Sequence, residues 1–244
     1  MTSSGSEPVR VAVWSGPRNL STALMRSFEN RPDTVVVDEP LYAAYLARTG
    51  IDHPGREEVL TALPVDMAEV IASLHAPLPE GVRVHYAKHM AHHLDLADDL
   101  SWTGAFRNVL LVRDPAEVVA SYVRSREACE PEDIGLLQQV RLLEEWEETP
   151  PVVDAGDFLR APEAHLRWLC EWLGIGFTTR MLSWPPGPRD SDGVWAPYWY
   201  DSVWRSTGFE PWRPRSVELS AHDAAVAEAC RPAYERLRAL RIRP

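Results

Sequence analysis

One lysine, Lys88, stands among the 25 lysines and arginines of this 244-residue chain, and no Gly-Lys pair occurs in it. The nucleoside-triphosphatase loop G-x-x-x-x-G-K-[S/T] is therefore missing, which argues against an ordinary ATPase. Cysteine is also scarce: Cys129, Cys170 and Cys230 are widely spaced and form no C-x-x-C pair. They read as reduced packing residues rather than a disulfide framework or a zinc site. Net positive charge is lacking as well. A formal charge of -11 and a pI near 5.2 argue against broad binding to nucleic acid or to anionic membranes. No apolar run approaches transmembrane length, and the polar start MTSSGSEP is unlike a signal peptide. A cytoplasmic protein is expected.

What the chain does have is a pair of strand-loop-helix segments. Residues 9–25 read VRVAVWSGPRNLSTALM. Val9, Val11 and Val13, with Ala12 and Trp14, predict a short buried strand that ends at Ser15, Gly16 and Pro17. Leu20, Ala23, Leu24 and Phe28 follow at helical spacing, with Asn19 or Ser21 placed to cap. A strand feeding a helix start aims unpaired N–H groups and the positive end of the helix dipole at one point, which favours an anion. Arg18 adds a forked, permanent cation there. A plain strand-to-helix turn is the competing reading of this segment alone.

Residues 107–127, RNVLLVRDPAEVVASYVRSRE, repeat the arrangement. Arg113 leaves the C-terminal end of the expected strand Val109 to Val112, where ligands bind in open α/β sheets. An arginine leaving a buried strand needs an anion or a carboxylate. Asp114 and Pro115 have a helix-start explanation, and Ser121 is either a small helix residue or a ligand contact.

Together, GPRNLST and RDPAEVVASY resemble the two nucleotide-binding signatures of sulfotransferases that use 3'-phosphoadenosine 5'-phosphosulfate (PAPS). The resemblance implies that residues Ser15, Gly16, Pro17, Arg18, Asn19, Leu20, Ser21 and Thr22 cradle the 5'-phosphosulfate. It further implies that Arg113 and Ser121, eight residues apart, hold the 3'-phosphate. Asn19 and Leu20 replace the family's usual Ser-Gly, so the loop is expected to follow ordinary dihedral angles. The segment DFLRAPEAHLRWLCEWLGIGF (157–177) is similar to a downstream sulfotransferase helix. VVDEPLYAAYL, KHMAHHL and DGVWAPYWYDSVWRSTGF (192–209) resemble a short bacterial subgroup. Arg205, in RSTGF, falls where the family has a late 3'-phosphate arginine. By the same resemblance the donor is PAPS, the product is 3',5'-adenosine bisphosphate, and no metal is required. The implied partner is a small-molecule acceptor of secondary metabolism, with a homodimer compatible.

The expected fold is α/β: a three-layer sandwich around a mainly parallel sheet of about five strands, of the P-loop nucleotide-binding type. Strands are expected at 9–14, 34–37, 82–87, 109–112 and 151–154. Helices are expected at 20–30, 65–76, 116–127, 134–147, 162–173 and 221–241. Residues 1–8 read as a flexible tail and 9–244 as one domain. Within it, 183–215 is an aromatic-rich loop or lid that carries Trp184, Trp195, Trp199, Trp204 and Trp212.

An attacking hydroxyl must lose a proton, so the acceptor side needs a base. Glu39 follows the strand TVVVD and should emerge beside Arg18; its neighbour Asp38 reads better as a helix cap near Pro40. The second candidate is His89, with His92 as its substitute, because the family's K-x-H motif appears here as adjacent Lys88-His89. Lys88 would neutralise the transferring group or pair with Glu39. Tyr42, His92, Trp195 and Tyr198 are expected with Glu39 on the acceptor side. His89 and His93 would share a helix face, yet the glutamate of H-E-x-x-H is missing, which disfavours zinc. A phosphotransferase and a non-catalytic nucleotide-binding protein remain as alternatives.

Overall fold

The structure, a computed structural model, describes residues 7–124, 129–214 and 216–244. Five strands, β1 (Val9–Ser15), β2 (Thr34–Asp38), β3 (Val84–Met90), β4 (Arg107–Val112) and β5 (Val152–Asp154), form one sheet in the order β2-β3-β1-β4-β5. Every pairing is parallel. The helices are α1 (Ser21–Glu29), α2 (Tyr42–Thr49), α3 (Arg56–Ala62), α4 (Met67–Leu74), α5 (Pro115–Tyr122), α6 (Leu136–Glu145), α7 (Ala155–Arg160), α8 (Pro162–Trp172), α9 (Ala196–Trp199), α10 (Asp201–Arg205) and α11 (Ala221–Ala239).

Period-two alternation along the strands builds the three layers. On β1, Val11 and Val13 pack with Leu24, Met25 and Phe28 of α1 and with Leu166 and Leu169 of α8. Ala12 and Trp14 face the other way, toward Val70, Val118, Val119, Leu142 and Val226 on α4, α5, α6 and α11. Because both faces are covered, the strands read as continuous apolar runs. A third cluster joins Tyr42, Tyr45 and Leu46 of α2 to Val59 of α3 and to Trp195, Ala196 and Tyr200. The aromatic segment is thus anchored to α2 and α3, and two short helices, α9 and α10, lie within it.

Strand order reverses beside the central β1. Connections first build β2 and β3 on one side, then β4 and β5 on the other, which opens a crevice at the strand C-termini. Gly16 sits at this point, where an added Cβ would lie 2.1 Å from the Ile134 carbonyl oxygen. Gln139 of α6 closes the floor by donating to the carbonyls of Trp14 (2.7 Å) and Leu111 (3.0 Å), the ends of β1 and β4.

Several boundaries differ from the sequence expectation. Strand β3 runs on through Lys88, His89 and Met90, and His92 and His93 follow in a 3-10 turn. His89 and His93 therefore share no helix face. Helices α2, α3 and α7 carried no sequence expectation; each is short, so its periodicity is weak. Helix α5 ends at Tyr122, and the remainder of its expected span includes residues 125–127, which lie outside the described residues. The same holds for residues 1–6 of the expected tail and for residue 215 of the aromatic loop.

Candidate active site

The loop after β1 is held by its own side chains. Asn19 accepts from the Leu20 N–H at 2.8 Å and donates to the Leu111 carbonyl at 3.1 Å, tying the loop to the end of β4. Arg18 takes a left-handed backbone with φ of 52°. The loop does not follow ordinary dihedral angles after all. A non-glycine residue in this region costs about 1–3 kcal/mol and marks a position the surroundings impose. Leu20 precedes α1 without a side-chain cap, so neither Asn19 nor Ser21 caps the helix. The first-turn N–H groups of α1 are left to another acceptor. On α5, by contrast, Asp114 accepts from the Ala116 N–H and caps.

Three arginines gather at that open helix start. Arg18 donates from Nε to the Ser121 hydroxyl, and Arg113 donates from Nη1 to the Arg18 carbonyl at 2.7 Å and from Nε and Nη2 to Glu117. Burial lowers the pKa of Arg18, and the nearby charges of Arg124 and Arg113 lower it further. Cations crowded together and partly desolvated favour an anion between them. Arg205 lies on α10. It is 69% exposed, pairs with Asp201 on its own helix, and has no hydrogen bond or ion pair to Arg18, Arg113 or Ser121 among the described residues.

On the other side of β1, β2 and β3 bring a second set of charges together. Asp38 and Lys88 are register partners. Lys88, only 1% exposed, donates to Asp38 Oδ1 (2.8 Å), Glu39 Oε1 (2.5 Å) and Tyr200 OH (2.6 Å). The Tyr200 hydroxyl donates in turn to Asp38 Oδ2 at 2.6 Å. Asp38 is therefore an ion-pair partner and not the expected helix cap; α2 begins after Leu41 with no side-chain cap. Glu39 has a left-handed φ of 40°, and its N–H continues the ladder to the Lys88 carbonyl. Its Oε2 lies 3.9 Å from His93 Nε2. Burial raises the Glu39 pKa; Lys88 opposes this and Asp38 reinforces it. Burial works against the charge on Lys88 too, but Asp38 and Glu39 outweigh it and hold its pKa well above the ordinary value.

The remaining expected residues divide. Tyr42 shares a 2.7 Å hydrogen bond with His53 Nδ1, and its ring stacks on His93 and meets Trp195 edge to face. His92 packs edge to face on Tyr45, its pKa pushed down to about 3 by burial and then by His53 and Lys88. Tyr198 is 47% exposed and reaches Glu58 instead. His89 points to the opposite face of β3 from Lys88, stacked on Trp14 at 4.1 Å, with both ring nitrogens buried and unpartnered among the described residues. Nothing in the sequence singled out His53, and Tyr200 stood out only as one ring of the aromatic segment. Among the described residues, no group of three His, Cys, Asp or Glu side chains is arranged to hold a metal ion, and no helix is long and apolar enough to cross a membrane.

A family model described as a sulfotransferase domain matches residues 9–240, nearly the whole chain. The chain belongs to the sulfotransferase-domain family. Two curated plant relatives from Arabidopsis thaliana are similar to it. Branched-chain-amino-acid aminotransferase-like protein 1 is 39% identical over 96% of this chain and 42% of its own length. The second, protein 2 of the same name, is 37% identical over 93% and 41%. The chain thus spans about two fifths of the length of these relatives.

Solved sulfotransferases share the fold. The sulfotransferase domain from the curacin biosynthetic pathway superposes with a TM-score of 0.58 at 16% identity, covering 92% of this chain and 98% of that one. The corresponding domain of the Synechococcus PCC 7002 olefin synthase gives 0.55 at 18%, covering 94% and 97%. A sulfotransferase from Alicyclobacillus acidocaldarius gives 0.54 at 16%, covering 98% of each chain. Within this sulfotransferase fold, adjacent Lys88 and His89 necessarily project to opposite faces of β3.

Proposed function

We propose that this chain transfers a sulfuryl group from PAPS to a hydroxyl or amine of a small metabolite. The observation that carries the reading is the Arg18–Ser121–Arg113 cluster beside the uncapped start of α1, in the same crevice mouth as Glu39. The donor supplies an activated sulfuryl group and carries two separated phosphate positions. Arg113 and Ser121 would hold the 3'-phosphate, with Arg18 beside them. The N–H groups at the start of α1 would hold the 5'-phosphosulfate and stabilise charge on the leaving phosphate oxygen.

Glu39 is the base in this reading. Its Oε2 would take the acceptor proton as the acceptor oxygen or nitrogen forms its bond to sulfur and the bond from sulfur to the bridging phosphate oxygen breaks. A carboxyl whose pKa is raised by burial is better matched to accepting that proton than an exposed one. The segment 183–215 would act as the lid of a single domain, 9–244.

Calorimetry with 3',5'-adenosine bisphosphate, 5'-AMP and ATP tests the donor assignment. Selective binding of the bisphosphate is expected; equal binding of the three, or none, would overturn it. Glu39→Gln should lower PAPS turnover by about 10²–10⁴-fold, the range of a lost general base.

A further inference from the structure

Lys88 is the centre of a closed hydrogen-bond set. An ammonium has three donors, and here they go to Asp38 Oδ1, Glu39 Oε1 and Tyr200 OH. No N–H remains to meet a transferring group. Tyr200 accepts from Lys88 and donates its O–H to Asp38 Oδ2, which also accepts from the Gly193 N–H at 3.4 Å. Trp195 Nε1 lies 3.4 Å from the same tyrosine oxygen. Asp38 is therefore satisfied on both oxygens, while Glu39 has one oxygen on Lys88 and the other, Oε2, turned toward His93.

This arrangement separates two adjacent carboxylates by task. Two carboxylates and one ammonium in a buried site leave one negative charge in excess. Asp38 and Lys88, side by side across β2 and β3, are held in place by the neutral donor Tyr200. We infer that Asp38 and Tyr200 are positioning residues for the sulfuryl-transfer reaction, locking Lys88 so that Glu39 keeps one anchored oxygen and presents Oε2 to the acceptor. The inference rests on the reading of Glu39 as base.

The segment that carries Tyr200 has separate ties that hold it in register. Asp192 pairs with buried Arg26 of α1 and accepts from Trp204 Nε1 at 2.9 Å. Ser191 bonds Glu29. An added Cβ at Gly193 would lie 2.1 Å from the Trp195 ring, so the turn that brings its N–H to Asp38 requires glycine. Thus α1, which begins at the proposed donor loop, and the residues that position the base are joined by one strap.

Charged and titratable groups face Glu39 from each surrounding element: Asp38 from β2, Lys88 from β3, His93 from the following turn and Tyr200 from the strap. Tyr42, His53 and His92 lie behind His93.

Carboxyl ¹³C NMR titration of Glu39 in the full chain tests the inference without an identified acceptor. Asp38→Asn removes the competing carboxylate and leaves Lys88 to Glu39, so the Glu39 midpoint should move to lower pH. Tyr200→Phe keeps the ring but removes the neutral donor, so both carboxylates lean on Lys88 and the midpoint should move to higher pH. A merely structural role would lower the melting temperature and leave the midpoint alone. An unmoved Glu39 midpoint in folded Tyr200→Phe overturns the inference, even if Asp38→Asn fails to fold. Undiminished PAPS turnover in Glu39→Gln would instead overturn the base assignment, with the midpoint shifts unaffected.

Discussion

Arg18 donates from Nε to the Ser121 hydroxyl at 3.2 Å, joining two residues 103 positions apart. The contact crosses from the loop after β1 to the second turn of α5, and Arg113 reinforces it by donating to the Arg18 carbonyl. The Arg18 side chain is thus tied to one of the two residues expected to hold the 3'-phosphate.

Replacement of Arg18 should therefore act on donor binding. Arg18→Ala is expected to weaken 3',5'-adenosine bisphosphate by roughly 10- to 100-fold, since a hydrogen bond to a charged group contributes about 1.5–3 kcal/mol. Arg18→Lys should recover little, because a single ammonium cannot serve Ser121 and a phosphate with the fork geometry of arginine. Calorimetry reads both; an unchanged affinity in the alanine variant would remove Arg18 from the site.

Gly16 should tolerate no side chain. In Gly16→Ala the new Cβ meets the Ile134 carbonyl oxygen at 2.1 Å, and the backbone must shift to relieve it. The expected cost is about 1–3 kcal/mol, read as a lower urea midpoint at unchanged slope. A variant as stable as the parent would contradict this close approach.

Lys88→Met leaves Asp38 and Glu39 buried without their cation. Removing one partner of a buried ion pair costs about 3–5 kcal/mol. The loss should be largest near neutral pH and smaller in acid, where protonation relieves the stranded carboxylates. Urea denaturation at both pH values checks this, and a loss below about 1 kcal/mol at neutral pH would refute the cluster.

Acid should unfold the protein through its histidines. Burial pushes the pKa of His85 down to about 4 and those of His89 and His92 down to about 3, from an ordinary 6.5; Arg10 adds to the first, His85 and Lys88 to the second, His53 and Lys88 to the third. Below 6.5 the unfolded chain binds protons that the folded chain refuses, so stability falls as pH drops from about 6.5 toward 4 and then 3. Unfolding free energies that stay flat from pH 7 to pH 5 would contradict the burial of these rings as neutral species.

The strands were legible because alternation of Val11 and Val13 with Ala12 and Trp14 is a local pattern. The loop and Arg113 stood out by their places at strand ends, whereas Ser121 was singled out only by the resemblance. His89 was expected beyond the strand, at a helix start, whereas β3 continues through it and turns its ring onto Trp14. Asp38 was misjudged because a local capping rule competed with a sheet register that only pairing with β3 supplies.

By itself, the sequence determined the layered α/β architecture and the position of the strand-loop-helix junction after β1, since both follow from backbone geometry and periodicity over a few residues. The tertiary structure alone decided what surrounds Lys88. Its partners lie 49, 50 and 112 positions away, and only strand order and the path of the aromatic segment bring them within hydrogen-bond reach. Local propensity does not encode which distant side chains must share one buried charge, so that choice belongs to the packing of the folded chain.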